Sequence, residues 1–209
     1  MSDQPDFLRD EYSPQGFVTD YIDRRIQAEG LTWWQRPDRA YDPEEAHHML
    51  YDVCRIFEHK NGKSLQPVVQ TLLSEDCGMR FTFNRYAEVV DCLHKNQDEG
   101  HVQMPYGRLV ALVTYAGLVA LELAQADSQT TIADIALYTA RYLEKCIKLQ
   151  WPETGRSWEG FVKMARNIKR VNAVREEKER RVAQRRKLMV GVAIAAMISI
   201  GVFAFRHYR

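Results

Sequence analysis

The 209-residue chain is 45% apolar and 27% charged, which excludes an intrinsically disordered protein and supplies enough apolar side chains for one globular core. Its formal net charge of +1 hides an uneven distribution. Residues 163–187 contain eleven Lys/Arg against three Asp/Glu, so residues 1–162 are acidic overall. The sequence therefore predicts an acidic domain followed by a basic segment.

Apolar side chains recur with helical spacing along the acidic part, which predicts an all-α fold. A first helix is expected to begin at Ser13-Pro14, because Ser favours the N-cap and Pro the first turn, and to end at Gly30. A second helix is expected to end near Asn61-Gly62. A short third element should then surround Pro67.

The second half of the acidic part contains the most apolar stretch of the body. Residues 109–124 include a single charge, Glu122, and a helix that is apolar on all sides must be buried. The sequence predicts an amphipathic helix before it, around Tyr86, and two after it, starting near Thr131 and near Ser157. We expect a central apolar helix surrounded by amphipathic ones.

No feature of the sequence favours an enzyme. It has no glycine-rich phosphate loop and no G-x-S-x-G motif, and its four cysteines form no C-x-x-C pair. We therefore expect no catalytic residue, no metal and no cofactor. The cysteines are predicted to be buried thiols: Cys54, Cys77, Cys92 and Cys146.

Residues 188–205 form an uncharged segment of eighteen residues, LMVGVAIAAMISIGVFAF, flanked by basic residues. As a helix it would extend about 27 Å, enough to cross a thin bilayer. Because four residues follow it, we expect a tail anchor that leaves residues 1–187 in the cytosol. The predicted organisation is a helical domain (1–165), a basic juxtamembrane stalk (166–187) and a transmembrane anchor (188–205).

Three segments resemble homology regions of the Bcl-2 family of apoptosis regulators. The first region is similar to PYGRLVAL at residues 105–112, and the second to WPETGRSWEGFV at residues 151–162. The amino-terminal fourth region is similar to residues 13–34, including their Gly-x-x-Trp exit. The three motifs occur in the family's order and cover most of the chain.

This resemblance implies a bundle of about eight helices around a central hairpin, residues 106–124 and 131–150. It also implies a surface groove that binds the amphipathic death helix of a pro-apoptotic relative, with Arg108 holding a ligand aspartate. Trp151 and Trp158 are expected to clamp the last helices to the body. The groove-lining residues implied by the resemblance are Leu65, Val68, Val89, Leu93, Tyr106, Gly107, Val110, Ala111 and Tyr115.

The sequence departs from the family pattern at positions that bear on function. Pro105 and Tyr106 stand where the family has asparagine and tryptophan. In the segment similar to the third homology region, residues 50–58, Cys54-Arg55 replaces glycine-aspartate. Because Arg55 reverses the charge that another member's arginine would bind, we expect a receptor of death helices, which is the survival branch of the family.

Other functions remain open at this point. A pro-apoptotic pore former would have the same fold. A tether or fusion protein would need apolar heptads up to the anchor, and residues 163–187 have no sustained seam. Nucleic acid is not expected, because the basic stalk lacks interleaved aromatic residues. The expected location is the mitochondrial outer membrane, with the endoplasmic reticulum as the alternative, and homo- or heterodimers are both compatible with the fold.

Overall fold

The structure, a computed structural model, describes residues 12–38, 43–73, 83–95 and 104–207, with the backbone alone for 92–95 and 183–207. These residues contain six helices and no strand, which confirms the all-α fold class. The helices are α1 Pro14–Gln27, α2 Glu45–Leu73, α3 Phe83–Lys95, α4 Tyr106–Gln125, α5 Gln129–Thr154 and α6 Trp158–His207.

Helix α1 begins and ends as the sequence predicts. The Oγ atom of Ser13 accepts a hydrogen bond from the backbone N–H of Gly16 at 3.2 Å, and Pro14 occupies the first turn. After the helix the chain turns through Gly30, whose φ of +75° is a conformation that glycine adopts without strain. These local signals therefore fix both ends of α1.

Helix α4 is the centre of the bundle. Its side chains are buried on all faces from Leu109 to Leu121, and the helix packs against α1, α2 and α5. Within the described residues it is the one helix long and apolar enough to cross a membrane, but 72% of its apolar window is buried inside the fold. Close packing depends on Gly117, because a Cβ atom there would overlap the ring of Tyr21.

Helix α2 corrects the expectation of a break at Asn61-Gly62, because it continues without interruption through Pro67. A glycine and a proline inside a helix are each unfavourable. Tertiary contacts offset that cost: Val69 and Leu72 extend the buried stripe, and the Gln66 amide donates to Glu122 of α4 at 2.8 Å. Helix α5 likewise begins at Gln129, two residues before the predicted Thr131.

The aromatic cluster joins the amino-terminal ends of α1, α2, α4 and α6 to the end of α5. The Trp158 ring stacks on Phe17 with centroids 4.0 Å apart and meets Trp151 edge-on at 5.1 Å. The indole N–H of Trp151 donates to the carbonyl of Met104 at 3.1 Å. This confirms that Trp151 and Trp158 clamp the last helices. The cluster comprises Phe17, His47, Tyr106, Trp151, Trp158 and Phe161.

A buried ion-pair network joins α1 to α2. The Arg25 guanidinium donates to both carboxylate oxygens of Glu58, at 3.1 and 2.9 Å, and to Glu29 at 2.6 Å. Arg55 also donates to Glu58, at 2.7 Å. The bidentate geometry and the low exposure of Arg25 make this pair a strong positional constraint on the two helices.

The chain divides into two compact units, Met1–Arg166 and Asn167–Arg209. In the second unit, most of the described side chains are exposed, and several form ion pairs one helical turn apart, such as Arg175 with Glu179 at 2.9 Å. The predicted anchor, residues 188–205, lies within α6 but outside the residues whose side chains are described. The anchor therefore stays a prediction.

Two of the four cysteines can be assessed. Cys54 and Cys146 are free, buried thiols, as predicted. Burial raises the pKa of the Cys54 thiol to about 12, so it is uncharged and unreactive at neutral pH. Cys77 and the side chain of Cys92 lie outside the described residues.

Candidate functional site

The α2–α3 cleft is an open depression of about 370 Å³ between the last turns of α2 and the first turns of α3. It contains two of the predicted groove residues, Val68 and Val89, and the Val68 side chain is 44% exposed. An exposed valine beside a cavity favours an apolar partner. The cleft is lined by Pro67, Val68, Thr71, Leu72, Arg85, Glu88 and Val89.

The start of α4 presents positive charge. Pro105 occupies the N-cap position, and no side-chain hydrogen bond caps the helix there. The helix dipole and the Arg108 guanidinium both favour an anion at this end. Gly107 is exposed, and a Cβ atom built on it meets no atom within 4 Å. The surface at Gly107 is therefore open to a ligand carboxylate and to a closely packed ligand backbone.

Arg108 is half-buried and interacts within the protein, so it is not a solvated helix-start arginine. Burial raises the pKa of Tyr142, and the positive charge of Arg108 opposes that rise. The same charge opposes the burial-raised pKa of Cys146. These effects place the guanidinium near Tyr142 and Cys146 of α5.

Helix α3, one wall of the cleft, contacts α4 at Tyr115, which lies on the same face of α4 as Arg108. Helix α3 crosses α4 where Tyr86 stacks on Tyr115, with ring centroids 5.6 Å apart, and the Tyr86 hydroxyl bonds Thr139 of α5 at 2.7 Å. Tyr115 follows Arg108 by seven residues, or about 10 Å along the axis of α4. Asp91, one further turn along α3, acts on Tyr142 together with Arg108. A ligand helix would therefore need about two turns to extend from Arg108 to the level of α3.

The structure places the remaining predicted groove residues in three different environments. Val110 and Tyr115 are 3% and 2% exposed, so a ligand would reach them only after the surrounding helices rearranged. Tyr106 belongs to the aromatic cluster, and its hydroxyl both donates to the carbonyl of Ser157 and accepts from its N–H. Leu65 and Ala111 are half-buried, and the side chain of Leu93 is not described. Their contact with a ligand stays a prediction.

Sequence reasoning missed two charged residues of the cleft, Arg85 and Glu88. They occupy the polar face of the amphipathic helix that Tyr86 and Val90 anchor. A charged residue on that face normally points to solvent, so the pattern gave no signal that these two line a cavity. Among the described residues, no group of three or more potential ligands is arranged to hold a metal ion.

Comparisons with known proteins agree with this fold. The family model described as Bcl-2 family apoptosis regulator proteins matches residues 50–158. Apoptosis regulator ced-9 of Caenorhabditis briggsae is 28% identical over 96% of this chain and 75% of its own length. Its Caenorhabditis elegans counterpart is 29% identical over 87% of this chain and 65% of its own length, just under two thirds.

Solved structures of relatives give the same result. A CED-9/EGL-1 complex superposes with a TM-score of 0.73 at 26% identity, covering 80% of this chain and 99% of the other. Trichoplax adhaerens trBcl-2L2 bound to trBak BH3 superposes with a TM-score of 0.59 at 21% identity, covering 75% of this chain and 99% of the other. At this identity the similarity supports the fold alone. The all-α bundle is of the Bcl-2-like class, and this chain belongs to the Bcl-2 family of apoptosis regulators.

Proposed function

We propose that this protein is an anti-apoptotic regulator that binds the amphipathic BH3 helix of a pro-apoptotic relative and so blocks permeabilisation of the mitochondrial outer membrane. The observation that carries the proposal is the uncapped, cationic start of α4 at Arg108, in a bundle that also has the open α2–α3 cleft. Apolar side chains of the ligand would enter the cleft, and a ligand carboxylate would bind Arg108. The arginine would orient the ligand helix, and the cleft would provide most of the affinity.

The relatives support this choice of ligand. CED-9, which is similar to most of this chain, has been solved in complex with EGL-1. The Trichoplax protein, which shares the fold, has been solved with a BH3 segment. By analogy, the partner of this protein would be a pro-apoptotic relative that carries such a segment.

The position of the α2 stripe favours survival over killing. Leu50, Val53 and Cys54, the residues that a donated death helix would present, are buried against the core, and the Cys54 thiol donates to the carbonyl of Val110 at 3.7 Å. Arg55 pairs with Glu58, which also holds Arg25. Donating this helix to a partner would disrupt both the core and the ion-pair network. Binding a partner's helix needs no such disruption, so the role of receptor is energetically favoured.

We further propose that residues 188–205 anchor the protein in an intracellular membrane with the helical domain in the cytosol. The mitochondrial outer membrane is the proposed location, and the endoplasmic reticulum is the alternative. The charge and apolar run of the sequence support this proposal. Binding of a death helix would make a heterodimer with the relative that carries it.

Arg108→Ala tests the proposal. With full-length protein and labelled EGL-1 and trBak BH3 peptides, we expect a loss of affinity worth roughly 1.5–3 kcal/mol, the range for hydrogen bonds to charged groups. Stability should change by less than about 1 kcal/mol, because the guanidinium is part exposed. Binding is measured by fluorescence anisotropy and stability by urea unfolding.

Arg141→Ala is the matched control, because it removes the same charge from an exposed position on α5. It should leave both quantities unchanged. Equal losses of affinity and stability in Arg108→Ala would make that residue structural. Failure of the unaltered protein to bind any death-helix peptide, together with release of a dye from liposomes, would instead favour the pore-forming alternative.

A further inference from the structure

The α2–α3 cleft contains a cation that nothing in the described fold satisfies. The Nη1 atom of Arg85 is buried and has no hydrogen-bond partner among the described residues, although the side chain as a whole is part exposed. Glu88, one turn further along α3, lines the same cleft, yet no ion pair joins it to Arg85. A buried donor without a partner is costly, and a buried cationic donor more so.

Several other arginines of the helical domain that are part or fully buried have carboxylate partners, whereas Arg156, like Arg85, has a buried Nη1 atom without a hydrogen-bond partner among the described residues. Arg25 donates to Glu58 and Glu29, and Arg36 pairs with Asp23 at 3.2 Å. Arg85 differs because it faces an open cavity whose other walls are mostly apolar, formed by Pro67, Val68, Leu72 and Val89. An anionic group placed in this cavity would satisfy the guanidinium, since the surrounding apolar walls limit screening by water.

The position of Arg85 sets the spacing of its partner from the carboxylate at Arg108. Arg85 precedes Tyr86, which stacks on Tyr115, and Tyr115 lies two turns along α4 from Arg108. A ligand helix lying along this side of the bundle rises 1.5 Å per residue. If such a helix runs parallel to α4, acidic side chains about seven residues apart would lie near Arg108 and near the part of α3 that carries Arg85.

We propose that Arg85 is a specificity-determining residue, which selects death helices carrying a second acidic side chain about two turns from the aspartate bound at Arg108. This inference rests on the proposed function, since it assigns a feature of the ligand to the same groove. The apolar walls give affinity for any amphipathic helix, and Arg85 discriminates among such helices. Ligands with a neutral residue at that position leave the guanidinium unsatisfied and bind more weakly.

The experiment is a charge-swap cycle on full-length protein. The probe is the EGL-1 peptide in a series of variants, in which a single glutamate or a single glutamine occupies each position along the helix. We expect Arg85→Glu to weaken binding of glutamate peptides roughly tenfold to a hundredfold at one position about seven residues from the aspartate, and of glutamine peptides at that position much less. A lysine there should restore binding to Arg85→Glu.

Two further variants keep the result interpretable. Arg141→Glu makes the same charge change at an exposed position on α5, and Arg85→Gln removes the charge without reversing it. Circular dichroism and the thermal midpoint establish that each variant folds. Equal losses for glutamate and glutamine peptides at every position, or no loss at any, would overturn the role of Arg85. If the unaltered protein bound no peptide, the proposed function itself would fail.

Discussion

The aromatic cluster and the α2–α3 cleft differ in how closely their side chains are packed. In the cluster, ring centroids lie 4.0–5.8 Å apart, and the Tyr106 hydroxyl and Trp151 N–H have backbone partners. The Trp158 indole N–H is buried without a partner among the described residues, but its ring is packed against other rings. In the cleft, valine is exposed and an arginine nitrogen is unpaired within the described fold. The difference indicates that the cluster stabilises the fold, whereas the cleft is completed by a ligand.

The largest expected effect is in the aromatic cluster. Trp158→Ala should lower the free energy of unfolding by about 3–5 kcal/mol, because it leaves a cavity among rings that cannot collapse into it. The measurement is urea unfolding followed by circular dichroism. Trp34→Ala is the control: this side chain is 80% exposed, so its loss should change stability by less than about 0.5 kcal/mol. Similar values for the two variants would contradict a stabilising role for the cluster.

A smaller effect is expected at the start of α4, where a substitution should lower the affinity for a ligand helix without lowering the stability of the fold. Gly107→Leu should weaken binding of the EGL-1 peptide at least about tenfold, because its side chain occupies the space needed by a closely packed helix. The thermal midpoint should stay the same or rise, since open space surrounds Gly107 and leucine favours helix. Gly62→Leu, at an equally open helical glycine of α2, should keep full affinity. Loss of affinity in both variants would contradict the assignment of the start of α4 as part of the binding site.

The smallest effect is a pH dependence from His47 in the aromatic cluster. Burial lowers the pKa of His47, and its ring stacks on Phe17 at 4.1 Å. Above pH 6.5 both the folded and unfolded states hold it neutral. Below that value the unfolded chain binds a proton that the folded state does not. The free energy of unfolding therefore decreases as the pH is lowered.

This fall should not exceed about 1.4 kcal/mol per pH unit, and it should weaken in His47→Gln. The exposed His59→Gln is the control, and it should retain the slope of the unaltered protein. The measurement is urea unfolding at a series of pH values between 7 and 5. A slope that His47→Gln leaves unchanged would assign the acid sensitivity to other groups.

The parts of this fold that the sequence predicted depend on local signals or on strong apolar runs. The Ser13-Pro14 start, the Gly30 turn and the buried central helix are of this kind, and so is the tryptophan clamp, which came from the family motif. The continuity of α2 could not be predicted, because it depends on contacts such as Gln66 with Glu122, 56 residues apart. A local glycine cost of about 1 kcal/mol is easily exceeded by such packing.

The candidate site was predictable where a motif marks it and unpredictable where only the cavity does. Arg108 and Gly107 stand in the first homology motif, and Val68 and Val89 follow from the family's groove. Arg85 has no motif, and its significance comes from an unpaired nitrogen beside a cavity. The count of about eight helices was also wrong for the described residues, which form six, because α2 and α6 are each longer than expected.

The most direct test of the central comparison follows side-chain resonances during a peptide titration. Full-length protein, labelled on valine methyl groups and tryptophan indoles, is titrated with the EGL-1 peptide. We expect large shifts for the Val68 and Val89 methyl groups, with the indole signals of Trp151 and Trp158 unchanged. Shifts confined to the two indoles, with the valine methyl groups unaffected, would contradict the assignment of the cleft as the ligand site.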